Sequence, residues 1–108
     1  MLDHEADVDV CEHTDSSTPL YNASWNGHAE VVKLLLANKA DMNAKTYAYG
    51  STSLHVAAEN GHADVVTILL ENKANVNACR DTDGATPLYL ASRGGHAEVV
   101  KLLLVIQS

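Results

Sequence analysis

The sequence predicts an all-α solenoid, in which helix–turn–helix pairs are stacked in a row and linked by hairpin-like loops. The first supporting observation is a period of 34 residues. It is marked by a threonine, a Gly-His pair and a Val-Val pair, which recur at Thr18, 27–28 and 31–32, at Thr52, 61–62 and 65–66, and at Thr86, 95–96 and 99–100. The second is fidelity, because only three of nineteen positions differ between 18–36 and 86–104. We call the copies that begin at these threonines repeat 1, repeat 2 and repeat 3.

The first helix of each repeat is predicted to run from the threonine to the glycine. A threonine hydroxyl at the N-cap can accept a backbone N–H that the first turn leaves unpaired. Pro19 and Pro87 then fall at the first helical position, where a missing N–H costs nothing. Gly27, Gly61 and Gly95 can adopt the positive φ that commonly ends a helix.

The second helix of each repeat is predicted to begin near Ala29, Ala63 or Ala97. Its first turn carries an acidic residue, which the helix dipole favours, and its apolar face is broad enough to contact adjoining pairs as well as its own. Residues rich in Asn, Asp and Gly then predict hairpin-like turns between the pairs. The predicted single domain of 1–108 thus has a partial loop at 1–17 and helix pairs at about 18–37, 52–71 and 86–106.

These motifs resemble the ankyrin repeat over nearly the whole chain. The T-P-L-H-x-A signature of that family occurs as Thr-Pro-Leu-Tyr-x-Ala in repeats 1 and 3 and as Thr-Ser-Leu-His-x-Ala in repeat 2. Three features depart from the family pattern: a spacing of 34 residues instead of the common 33, Tyr21 and Tyr89 in place of histidine, and Ser53 in place of proline. We expect the extra residue to lengthen the hairpin and the substitutions to leave the fold unchanged.

The charge and the hydropathy argue against several classes of partner. The chain has a formal net charge of −7, and its seven basic residues are scattered, which argues against nucleic acid. No apolar stretch is long enough to span a membrane, and the N-terminus lacks the regions of a signal peptide. Cys11 and Cys79 lie at equivalent positions two repeats apart, roughly 16–20 Å, so we expect free thiols. These features predict a cytoplasmic protein.

The histidines raise the question of a metal site. His28, His62 and His96 recur once per repeat, about 10 Å apart, so adjacent rings cannot share one Zn²⁺, whose ligands lie within about 2.1 Å. The ankyrin resemblance implies instead that these rings hydrogen-bond the backbone between repeats and that His55 is also structural. No nucleophile elbow, P-loop or zinc-protease motif is present. We therefore expect no metal site, no cofactor and no catalytic activity.

The resemblance implies a protein–protein interaction module that binds its partner on a concave face of hairpin tips and first helices. Positions where the repeats disagree are the candidates, since the agreeing positions specify the fold. These candidates are Trp25, Asn26, Tyr47, Tyr49, Ser51, Glu59, Asn60, Asp83 and Arg93. Trp25 is the most informative, because Glu59 and Arg93 occupy the equivalent positions and an exposed tryptophan is typical of a binding hot spot. The alternatives are that Trp25 folds over the N-terminal segment and covers an open end, or that it is a surface tryptophan by chance.

Two further hypotheses stay open. The chain is also consistent with a structural segment that self-associates or stacks end to end through its terminal repeats, because the apolar run 102–106 lacks the polar outer face usual in a terminal repeat. Exposing about 300 Å² of such surface would forfeit roughly 7 kcal/mol. Separately, Asn43 and Asn77 match a position at which ankyrin domains are often hydroxylated, and hydrogen bonding within the turn is the simpler role for both.

Overall fold

The computed structural model describes residues 18–46 and 50–107, which form six α-helices in three pairs. The helices are α1 (Pro19–Asn26), α2 (Ala29–Ala37), α3 (Ser53–Glu59), α4 (Ala63–Glu71), α5 (Pro87–Gly94) and α6 (Ala97–Gln107). No strand occurs in this part of the chain, in agreement with the predicted all-α class.

Local capping chemistry explains where the first helices begin and end. The hydroxyl oxygens of Thr18, Thr52 and Thr86 each accept a hydrogen bond from the backbone N–H three residues later, at 3.1, 3.3 and 3.1 Å. Gly27 and Gly95 close α1 and α5 in the left-handed conformation, both at φ 75°. The predicted caps are therefore present at both ends of these two helices.

The pairs stack so that first helices contact first helices and second helices contact second helices. α3 packs between α1 and α5, α4 packs between α2 and α6, and the two helices of each pair pack against one another. Val65, Val66 and Leu69 of α4 are all 0% exposed, because this helix has a neighbour on each side. Ala57 and Ala58 of α3 are equally buried, and their small side chains allow close approach. One apolar cluster thus runs through the three pairs.

Two histidines fix the spacing between neighbouring pairs. The Nε2 atoms of His62 and His96 lie 2.9 Å from the carbonyl oxygens of Trp25 and Glu59, at the end of the preceding first helix. A Cβ placed on Gly27 would come within 2.6 Å of the His62 ring. The glycine is therefore required for this close approach as well as for its positive φ, and these histidines have the structural role that the family resemblance implies.

The loops between the pairs form hairpin-like turns closed by backbone hydrogen bonds. The N–H of Thr46 donates to the carbonyl of Ser51 at 2.9 Å, and the N–H of Arg80 donates to the carbonyl of Ala85 at the same distance. The second of these turns lies beside the first helices of repeats 1 and 2.

His55 joins repeat 2 to the hairpin that precedes repeat 3. Its Nδ1 atom lies 3.0 Å from the backbone nitrogen of Thr52, and its Nε2 atom lies 3.0 Å from the carbonyl oxygens of both Ala78 and Ala85. Carbonyl oxygens can only accept, so Nε2 carries the proton and Nδ1 accepts from Thr52. Burial lowers the pKa of His55, which favours the neutral ring that these partners require.

Candidate functional site

A groove lies where the first helices of repeats 1 and 2 face the last hairpin. Its volume is about 370 Å³, and it is lined by Tyr21 and Trp25 of α1, Glu59 of α3, and Arg80, Thr82 and Asp83 of the hairpin. Trp25, Glu59 and Asp83 are among the positions that the sequence predicts for partner contact. Residues distant in sequence are thus brought to one surface by the stacking of the repeats.

Trp25 supplies an exposed apolar surface to the groove. It is 47% exposed, and its ring centroid lies 6.4 Å from that of Tyr21. The carbonyl oxygen of Trp25 accepts hydrogen bonds from His62 and from the side-chain amide of Asn60, each at 2.9 Å. Because the next repeat holds this backbone, an approaching group meets an aromatic surface on a fixed scaffold.

A chain of four charged side chains lies beside the aromatic rings of Tyr21 and Trp25. Arg80 donates two hydrogen bonds to Asp83, at 3.2 and 2.7 Å. Glu59 lies 3.7 Å from Arg80 and 3.3 Å from Arg93. The hydrogen bond from Arg80, with a second from the backbone N–H of Ala85, lowers the pKa of Asp83 to about 2. Two carboxylates therefore alternate with two guanidinium groups, which gives the groove a polar edge of balanced charge.

Asn26 and Asn60 occupy equivalent positions but make different contacts. Asn26 is exposed, and its amide donates to the carbonyl of Asn22 in its own helix at 2.9 Å. The amide of Asn60 instead reaches across to the carbonyl of Trp25. Asn60 thus supports the residue that lines the groove.

The predicted contact at Ser51 is wrong. Ser51 is 1% exposed, because the hairpin folds it inward and its N–H donates to the Thr46 hydroxyl at 3.2 Å. Its side chain cannot reach a partner in this arrangement. Tyr47 and Tyr49, the other two predicted contacts in this loop, lie outside the described residues.

Asn43 and Asn77 lie on exposed turns. The backbone N–H of Asn43 donates to the side chain of Asp41, and that of Asn77 donates to the side chain of Asn75, each at 3.0 Å. The side-chain oxygen of Asn43 also accepts from the N–H of Asn75 at 3.3 Å, which links successive turns. Hydrogen bonding, the simpler role, is therefore present at Asn43, and hydroxylation stays a prediction.

Tyr21 and Arg80 line the groove although they are not among the predicted contacts. Tyr21 recurs as Tyr89, so the rule that agreeing positions specify the fold assigns it to the frame. Arg80 is equivalent to Thr46, and the rule that differing positions face outward would have identified it. Arg80 could therefore have been found by comparing every hairpin position between the repeats, including the residue that opens each turn.

No three His, Cys, Asp or Glu side chains within residues 18–46 and 50–107 converge on a common metal position. None of the described helices combines the length and the apolar character that a membrane span needs. Cys79 is an exposed free thiol, and Cys11 lies outside the described residues.

Two family models match the chain. The model described as ankyrin repeats in three copies matches residues 45–107, and the model described as ankyrin repeats in many copies matches residues 1–47. A comparison with curated proteins found no match. The first family match covers more than half of the chain and agrees with the stacked helix pairs, the threonine caps and the bridging histidines. This chain therefore belongs to the ankyrin repeat family.

Proposed function

We propose that the groove beside Trp25 binds a protein partner on the concave face of the array. Ankyrin repeats are generally protein–protein interaction modules and are generally non-catalytic. The observation that carries the proposal is the position of Trp25, which is 47% exposed and packs on Tyr21 next to a charge-balanced edge. An aromatic centre with a polar rim is the usual anatomy of a protein-binding hot spot.

The groove best fits an apolar or aromatic side chain of the partner, flanked by hydrogen-bonding groups. Arg80 is already paired with Asp83 and Glu59, and its side chain is only 13% exposed. The charges of Asp83 and Arg93 are more accessible, at 45% and 54%. We therefore expect burial of the Trp25 ring to supply most of the affinity and the accessible charges to orient the partner.

Trp25 is the only tryptophan in the chain, which makes it a direct reporter of the groove. Proteins captured by the wild-type chain would be purified and titrated against chain labelled with fluorotryptophan. A partner that covers the groove is expected to shift the single ¹⁹F resonance and to protect it from solvent. A partner that binds with no change in this resonance would place its contact elsewhere.

Substitution of Trp25 tests the same assignment by affinity. Trp25→Ala is expected to weaken binding by about thirtyfold, the loss of roughly 2 kcal/mol that defines a hot spot. Val105→Ala is the control, because Val105 is 72% exposed on α6, does not line the groove, and should leave affinity unchanged. Unchanged affinity of a folded Trp25→Ala chain for every purified partner would refute the proposal.

A second candidate function is self-association through the terminal repeats. It is favoured by apolar exposure at both ends of the array: Val31 is 45% exposed, Leu34 64% and Leu104 50%. Sedimentation velocity across a concentration series is expected to show a rising average mass. A monomer at every concentration would contradict this second function and leave the groove proposal untouched.

A further inference from the structure

We infer that copies of this chain join head to tail, with repeat 1 of one copy stacked on repeat 3 of another in the register that joins successive repeats within a chain. The inference rests on the proposed self-association and specifies its geometry. Four observations support it.

The Gly-His pairs give the clearest sign of the register. The rings of His62 and His96 each lie against the glycine of the preceding repeat. Among the described residues, nothing lies within 4 Å of a Cβ placed on Gly95, and Gly95 borders a depression of about 330 Å³. His28, at the other end, is exposed. Among the described residues, one open site and one ring without a partner therefore lie at opposite ends of the array.

Val31 and Leu34 of α2 mark a face of repeat 1 that a preceding repeat would cover. We call this the arriving face. Val31 is 45% exposed, whereas the equivalent Val65 and Val99 are 0% and 1% exposed. Leu34 is 64% exposed, whereas the equivalent Ile68 is 7% exposed. The difference comes from the neighbouring pair, since the residue types are the same or nearly so.

The opposite end presents the complementary face, marked by Tyr89 and Leu104 of repeat 3. We call this the receiving face. Tyr89 is 55% exposed, whereas Tyr21 and His55, at equivalent positions, are 9% and 0% exposed. Leu104 is 50% exposed, whereas Leu70 is partly buried. This is the face that a following repeat covers within the chain.

The two faces match because repeats 1 and 3 are nearly identical. The types of Leu20, Tyr21, Ser24, Val32 and Leu36 in repeat 1 recur in repeat 3 as Leu88, Tyr89, Ser92, Val100 and Leu104. Trp25 becomes Arg93, but the bond from the next repeat to this position uses only the backbone carbonyl. Repeat 1 of a second copy would thus meet a surface that repeat 2 already meets. Asn22, on the arriving face, is a polar residue at a position where repeats 2 and 3 have Val56 and Leu90. Both of these are 1% exposed.

Single charge substitutions on each face test the inference. Leu34→Glu alters the arriving face and Leu104→Glu alters the receiving face. Each is expected to weaken association by about tenfold or more, since each puts a charge where a leucine would be buried. Ala37→Glu and Val105→Glu are matched controls, because Glu71 occupies the equivalent position in repeat 2 and is exposed there between two neighbours. Both controls should associate like the wild type.

A mixture of the two face variants distinguishes head-to-tail stacking from a symmetric contact. Each variant keeps one intact face, so the mixture is expected to form a one-to-one dimer and nothing larger. Symmetric pairing of like faces would instead leave one variant self-associating on its own. That result, or a mixture that stays monomeric while the wild type associates, would overturn the head-to-tail geometry while self-association survives. A wild type that never associates would overturn both.

The register is tested in the same mixture by NMR. Isotope-filtered spectra are expected to show intermolecular contacts between the His28 ring of the Leu104→Glu copy and the α-protons of Gly95 in the Leu34→Glu copy. A dimer without this contact would overturn the inferred register.

Discussion

The Nε2–H group of His62 donates to the carbonyl oxygen of Trp25 across 2.9 Å. A residue that recurs in every repeat thus holds the backbone of a residue found only in repeat 1. The same atom pair recurs between His96 and Glu59, so the interaction fixes successive first helices at a common spacing. The frame of the fold and the candidate groove meet at this bond.

Loss of this bond should destabilise the array modestly. His62→Ala is expected to lower the free energy of unfolding by about 1 kcal/mol, the usual contribution of one hydrogen bond. His28→Ala is the control, because His28 is exposed and no described residue pairs with its ring. Urea unfolding at concentrations that keep the chain monomeric measures both. Equal losses would mean that the bond to Trp25 contributes nothing particular.

His55 should make stability depend on pH below its ordinary pKa. Burial lowers the pKa of His55 from 6.5 in the folded chain, so the unfolded state takes up a proton first as the pH falls. The contribution of His55 to the free energy of unfolding is therefore constant above pH 6.5. It declines below pH 6.5 until the folded state also takes up the proton. Urea midpoints measured through this window are expected to fall with pH.

The control for this dependence is His55→Tyr, since Tyr21 and Tyr89 occupy the equivalent positions in the other repeats. This variant has a different stability at neutral pH, but it should lose the part of the pH slope that His55 causes. An unchanged slope would mean that His55 does not cause the dependence.

Removal of one buried hydroxyl should stabilise the chain. Ser24 is 0% exposed, and its Oγ has no hydrogen-bond partner among the described residues. Ala58 fills the equivalent position in repeat 2. Ser24→Ala is expected to raise the free energy of unfolding by about 1 kcal/mol, because a buried unpaired hydroxyl carries a desolvation cost. Ser92→Ala, at the exposed equivalent position, should change it little. A destabilised Ser24→Ala chain would contradict this account.

The fold was predictable because its determinants are local and repeated. Thr52, for example, caps α3 through a hydrogen bond from the backbone N–H three positions later, and an equivalent threonine cap occurs in each repeat. Alternation between small residues in the first helices and broad apolar faces in the second then leaves stacking as the way to bury both.

The site was predictable only in part, because its contacts are long-range. Ser51 and Asp83 both lie in hairpins, yet one is buried and the other is exposed. Ser51 is turned inward and bonded to Thr46, whereas Asp83 is paired with Arg80, which also contacts Glu59 on another repeat's helix. Sequence identifies which positions differ between repeats, but three-dimensional packing decides which of them reach solvent.

Asn22 offers a gain-of-function test of head-to-tail stacking. Asn22→Leu gives the arriving face of repeat 1 the residue that repeat 3 has at Leu90, which is buried against repeat 2. Burying a leucine contributes about 2 kcal/mol, so association is expected to tighten by about thirtyfold. Sedimentation equilibrium of the wild type and the variant measures the difference.

Ala37→Leu is the matched control, because it adds apolar surface at a position that stays exposed in the middle of the array. General stickiness would strengthen association in both variants, whereas the stacked register predicts a gain for Asn22→Leu alone. Asn22→Leu combined with Leu104→Glu should be monomeric, since the improved face then has no receiving surface on its own kind. Association of that double variant as tight as that of Asn22→Leu would mean that the new leucine is buried somewhere other than the end of repeat 3.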